Sequence, residues 1–262
     1  MADTIIELFT LPKSSLIDRK LDKKKLFEHG GITGSQQKII SEAVETIRVL
    51  ASVNTKTTNI PPVDTSEYRY NQIPIIRVEM RKSERALVCG KIIQKALEHP
   101  ALLVITGNDS KMIFHAATKR VNSADISKLT IEHEYSTNWV DRYSTLPEDS
   151  LFLSSFMLGK HPLSDLQSLY HSYCKVIISH AFVQITGKSV SGSLSLDMLR
   201  MYFDKYKELG RELTTLQNAA VREKQVPRQI ELNNAIRRVR DELVEIETIL
   251  NNGRINAVVS DV

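Results

Sequence analysis

The sequence predicts an α+β protein. It should carry a small mixed or antiparallel sheet with covering helices in residues 1–145, a helical connection over 146–188, and a helical hairpin or coiled-coil-like bent arm over 194–252. Three observations predict this. Short apolar runs separated by turn sequences fill the stretch from 73 to 135. Beyond Trp139 the apolar spacing changes to three and four, the period of an amphipathic helix. After SVSGS, residues 189–193, two heptad seams follow in different phases, with Pro227 between them.

In chain order, the first element is a helix over about 34–52. Ile39, Ile40, Ala43, Val44, Ile47 and Leu50 share one face at helical spacing, and Thr33 or Ser35 can cap the start. From Asn54 to Asn71, threonines with Pro61 and Pro62 break the pattern and predict an ordered, partly extended connection. IPIIRVEMR, 73–81, predicts a strand. ERALVCGKIIQKALEHP, 84–100, returns to helical spacing through Val88, Ile92 and Ala96 and stops at Pro100. ALLVIT and KMIFHAAT are strands joined by GNDS, whose Gly107, Asn108 and Asp109 suit a hairpin turn, and LTIEHEY, 129–135, is a further strand.

The helical part begins with SDLQSLYHSYCKVIISHAFVQITG, whose Leu166, Leu169, Tyr173 and Ile177 mark an apolar face and whose Gly187 ends it. Leu199, Tyr202, Tyr206, Leu209, Leu213, Leu216 and Ala220 form the first seam; Leu232, Ile236, Val239, Leu243, Ile246 and Leu250 form the second. Proline is tolerated in the first turn of a helix and disruptive inside one. The phase change at Pro227 therefore places a bend or turn within 221–228.

Composition is that of an ordinary soluble chain of 262 residues, 42% hydrophobic and 25% charged. A net charge of +4 is too mild to mark a nucleic-acid binder by itself, so placement decides. Residues 13–25 hold six cations, Lys13, Arg19, Lys20, Lys23, Lys24 and Lys25, against Asp18 and Asp22. That local excess equals the excess of the whole chain. Cys89 and Cys174 sit in apolar helical patterns and are expected as buried hydrophobes rather than a disulfide. MADTIIELFTLPK is too short and too acidic for a signal peptide, and no apolar run reaches membrane-spanning length. A cytoplasmic protein without membrane attachment is expected.

Chemistry is sparsely signalled. Asp64 and Glu79, with Arg81, can be arranged as a degenerate metal-dependent nuclease of the PD-(D/E)xK kind. Arginine stands where that chemistry uses lysine, and it stays protonated. The seven histidines lack ligand spacing, so no metal and no cofactor is expected. GGITGS loosely resembles a phosphate cradle, and helix capping explains it equally well. A second basic cluster, which includes Arg222, Lys224, Arg228, Arg237, Arg238 and Arg240, surrounds the bend and enters the last helix.

Four stretches, LPKSSLIDRKLDKKKLFEHGGIT, IRVLASVNTKTTNIPP, YSTNWVD and REKQVPRQIELNNAIRRVRDELVEIE, occur in this order along nearly the whole chain. Together they resemble the domain-of-unknown-function family numbered 4391 of bacteria and archaea. Members of that family are often encoded beside DNA methyltransferases and helicases of restriction-like, anti-phage loci, so the resemblance implies an accessory role in DNA defence and brings no established catalytic residues. The expectation is a non-catalytic subunit that contacts nucleic acid through Lys13, Arg19, Lys20, Lys23, Lys24, Lys25, Arg237 and Arg240. Leu209, Leu213, Leu216, Val239, Leu243 and Ile246 would dock a helicase, a methyltransferase or a second copy of the chain. The alternatives are the nuclease and a purely structural scaffold.

Overall fold

The computed structural model describes residues 5–29, 31–107 and 109–253; Gly30 of GGITGS and Asn108 of GNDS lie outside them. Along the chain run β1 (Leu16–Lys20), α1 (Lys23–His29), α2 (Gly34–Ala43), β2 (Val44–Val53), α3 (Thr55–Thr58), β3 (Val63–Asp64), β4 (Arg69–Tyr70) and β5 (Ile73–Met80). Then come α4 (Ala86–Ala96), β6 (Leu102–Thr106), β7 (Lys111–Val121), β8 (Leu129–Ser136), β9 (Val140–Asp141), α5 (Pro147–Ser154), α6 (Leu166–Thr186), α7 (Leu196–Arg222) and α8 (Val226–Asn252). Seven strands form one mixed sheet in the order β1-β2-β5-β6-β7-β8, with β9 also on β7; β3 and β4 pair separately. Among the described residues only the β5–β6 pair is parallel, because α4 carries the chain across between them.

The helix expected over 34–52 is half a helix. A capping box between Thr33 and Gln36 starts α2, which ends at Ala43, and the chain continues directly as β2. Val44, Ile47 and Leu50 fit a helical face and a strand equally well, since short apolar runs do not fix the period. What decides is pairing: β2 lies against β5 from Val44↔Met80 to Val53↔Ile73 and against β1 on its other edge. A ladder on both sides, with the β-branched Val44, Thr46, Ile47, Val49 and Val53, outweighs continuation of the helix.

The polar sequence of β1 carries no strand signal, and all five of its residues are exposed. It pairs as an edge strand through Leu16↔Ala51 and Arg19↔Val49, so two residues bulge opposite one. Asp18 in that bulge takes the left-handed φ of 45°, and its carboxylate accepts from Arg48 Nε at 2.6 Å.

α2 and α4 cover one face of the sheet, burying Ile40, Ile47, Val78, Cys89, Ile93 and Ile105 in one cluster. Gly90 permits this approach: a Cβ there would stand 2.9 Å from Ile105 Cδ1 and 3.2 Å from the His115 ring. On the opposite face, Phe114 stacks on Phe156 at 4.3 Å and meets Phe152 of α5 edge-on. The Tyr170 hydroxyl of α6 reaches the backbone of Ala101 and Ala117.

The chain divides into two compact units, Met1–Ala181 and Phe182–Val262, with the boundary inside α6. In the second, α7 and α8 pack as an antiparallel helical hairpin within one chain. The expected break falls at Glu223–Gln225, with Pro227 in the first turn of α8. The Glu223 carboxylate fixes the turn by accepting from the backbone N–H groups of Lys224 and Gln225 at 2.8 and 2.9 Å. Farther along, Glu247 accepts from the Tyr206 hydroxyl at 2.8 Å and pairs with Lys188.

Candidate nucleic-acid interface

The basic stretch folds onto the β1 edge of the sheet. Lys13 opens a short 3-10 turn, Arg19 and Lys20 close β1, and Lys23, Lys24 and Lys25 form the first turn of α1. Asp22 holds that turn by accepting from the Lys24 backbone N–H at 2.9 Å. Three lysines at the positive end of a helix dipole do nothing for helix stability, so local energetics do not account for their placement.

Lys23 differs from its neighbours. Its Nζ donates to the Val44 carbonyl at 2.5 Å, tying α1 to the start of β2, and burial together with the Arg81 cation lowers its pKa, Glu45 opposing. It is a structural tie. Lys13, Arg19, Lys20, Lys24 and Lys25 are exposed and make no ion pair among the described residues. The nearby carboxylates are engaged, Asp18 with Arg48 and Asp22 with the α1 backbone.

The nuclease residues are not brought together. Asp64 pairs with Arg69 at 3.6 Å in the β3–β4 hairpin, which is bonded to the end of β7 by Val121 N–H to the Glu67 carbonyl at 2.7 Å. Glu79 lies opposite Thr106, whose own partner is Met112 at the start of β7. Nine residues of strand, roughly 30 Å, separate Met112 from Val121. Glu79 accepts from Thr46 and pairs with Arg77 at 2.7 Å, while Arg81 pairs with Glu45. No group of three His, Cys, Asp or Glu among the described residues is placed to hold a metal ion.

In the second unit Arg237 and Arg240 are exposed on α8. The residues expected to dock a partner face a different neighbour. Leu209, Val239 and Ile246 are buried, and Leu213, Leu216 and Leu243 half-buried, on helices that pack against each other. The heptad seams close the hairpin itself, so they are not a free docking surface. A carboxylate at the buried Val239, as in Val239→Asp, should cost about 3 kcal/mol or more of hairpin stability. Loss of helical signal in circular dichroism on mild heating is the readout.

Both cysteines are free and buried, and burial raises the Cys89 thiol to about 11, which makes it inert. His180 Nε2 lies 3.2 Å from Asp149 and stacks on Phe152, while His161 Nδ1 bonds Ser172 at 2.8 Å. Neither set forms a nucleophile–base–orienter chain.

Sequence reasoning missed Lys119. It ends the apolar run of β7, is 1% exposed, and donates from Nζ to the carbonyls of Gln94, Leu97 and His99 at 2.7, 2.5 and 3.2 Å. Those carbonyls belong to the last turn of α4 and to the turn that follows it, and the lysine caps them from another element. The one available signal was a lysine continuing the register of KMIFHAAT, which by itself predicts the end of a strand.

The fold and the site together define an α+β protein with a cation-rich sheet edge and a separate helical-hairpin unit. The family described as Domain of unknown function (DUF4391) matches residues 9–243, and the chain belongs to it. No curated protein and no solved structure matches the chain. No helix among the described residues is long and apolar enough to cross a membrane.

Proposed function

We propose that the protein is a non-catalytic accessory subunit of a DNA defence system that holds nucleic acid by its phosphates along the β1–α1 edge. The observation that carries this is the set of five exposed cations, Lys13, Arg19, Lys20, Lys24 and Lys25, with no ion-pair partner among the described residues. Such groups release counterions from phosphate and give affinity without base choice. The defence setting rests on the resemblance of the four sequence stretches. A helicase or methyltransferase partner would meet the outside of the α7–α8 hairpin, where Val221, Val226 and Ile230 are exposed beside Arg222 and Lys224, because the seam is closed.

Charges on an edge strand also block edge-to-edge aggregation, which explains Arg19 and Lys20 without a ligand. It does not explain Lys24 and Lys25, which lie on α1. The test is binding of labelled single- and double-stranded DNA and RNA across a salt series, with magnesium present and products examined. The combined variant Arg19→Glu, Lys24→Glu, Lys25→Glu should weaken binding at least about tenfold at low salt and reduce the log–log salt slope by about two to three. Binding unchanged in that variant overturns the edge. Magnesium-dependent cleavage abolished by Glu79→Ala would instead favour the nuclease.

A further inference from the structure

A cleft of about 910 Å³ opens on the α4 face of the first unit, and none of the exposed cations of the β1–α1 edge lines it. Its volume is that of small-molecule sites. It is walled by α4, the turn 97–99, the end of β7 and the first residues of β8, with Gly31 and Gln36 on one side. Five cations line it, Arg69, Lys91, Lys95, Lys119 and Lys128, against Glu98 and Glu134. Asp64 and Asp125 hold Arg69 and Lys128 from outside the lining, so the positive excess comes down to the buried Lys119, and among the exposed cations Lys95 is the one with no carboxylate against it among the described residues.

The cations are not equivalent. Lys91 pairs with Glu134 at 3.1 Å, whereas Lys95 and Lys119 contact no carboxylate among the described residues. Lys91 and Lys95 are four residues apart on α4, so both ammonium groups rise from one face of the helix, a spacing suited to straddling a phosphate. Beside them the cleft is apolar, through Ile92, Leu97 and Ile131. The Nδ1 of His99, which also lines it, is buried and has no hydrogen-bond partner among the described residues.

We propose that this cleft binds a small phosphate-bearing ligand of mononucleotide size, its phosphate met by Lys91 and Lys95 and its ring laid against Ile92, Leu97 and Ile131. The pairing of cations with an apolar wall selects this class: inorganic phosphate would leave the wall unused, and an apolar molecule would leave Lys95 unanswered. An anion beside the cleft would also favour the charged form of Lys119, which burial disfavours.

The site stands independently of the β1–α1 edge, and one calorimetric series tests it on the full chain with AMP, pyrophosphate and adenosine as probes. AMP is expected to bind, pyrophosphate more weakly, and adenosine more weakly still. Lys95→Glu, at an exposed position and with its fold checked by thermal melting, should lower AMP affinity at least tenfold. Lys56→Glu on α3 should leave it unchanged. Absence of AMP binding at millimolar concentration, or equal binding by wild type and Lys95→Glu, overturns the proposal. Equal affinity for AMP and pyrophosphate overturns the ring-binding wall. If Lys95→Glu weakens DNA binding while AMP does not bind, the cleft is part of a nucleic-acid surface and the small-ligand site falls.

Discussion

Tyr170→Ala is expected to lose about 5 kcal/mol of folding stability in the sheet unit, and Tyr170→Phe about 2 kcal/mol, measured by urea unfolding with the slope unchanged. The difference between the variants separates ring from hydroxyl. The hydroxyl is fully buried where the β6–β7 ladder ends, one residue past the Leu102↔Ala116 pair. It accepts from the Ala117 N–H at 2.9 Å and donates to the Ala101 carbonyl at 2.9 Å. Phenylalanine would orphan the Ala117 N–H. The Ala101 carbonyl would keep its second donor, Gln94 Nε2 at 2.7 Å, while the Ala117 carbonyl, 3.0 Å from the hydroxyl, would lose this contact along with its N–H. Burial raises the phenol well above its usual range, so it remains a donor at any pH the fold survives. Alanine would further remove a ring packed 5.8 Å from Tyr70 and leave a cavity. Equal stability of Tyr170→Phe and wild type would mean that the hydroxyl contributes nothing.

The second large effect is at Lys119, and it depends on pH. Lys119→Met removes the donor shared by three carbonyls at the end of α4 and is expected to cost about 2 kcal/mol at pH 6.5. Burial lowers the ammonium from its ordinary 10.5 to about 7, although the carbonyls around it favour the charge. Between those two values the unfolded chain holds a proton that the folded chain has released. Wild-type stability therefore gains with rising pH across that window, by at most about 1.4 kcal/mol per unit, and the gain is absent below about pH 7, where both states are protonated. Methionine has no such proton. The gap between wild type and Lys119→Met should widen from pH 7 to pH 9.5 in parallel melts; a gap that narrows would show that the buried group does not release its proton on folding.

The elements visible in the sequence were those whose signal is local. GNDS placed a hairpin between β6 and β7, helical spacing identified α4 and α6, and Pro227 with the change of seam phase located the break between α7 and α8. The basic stretch was equally visible, because charge can be counted without knowing the fold. Lys23 shows the limit: its type was evident, but its carbonyl partner, Val44, lies 21 residues away.

By itself, then, the sequence determined the α+β class, the alternation of strand and helix through β5, α4 and β6, two seamed helices with a break between them, and the six cations of residues 13–25. Only the tertiary structure decided that 44–53 is a strand, that LIDRK is an edge, that Lys119 is buried, and that the seam residues face each other. The physical reason is common to all four. Periodicity records which side of a segment is apolar, whereas a strand ladder, a buried ammonium and a closed seam depend on what the rest of the chain brings to that side.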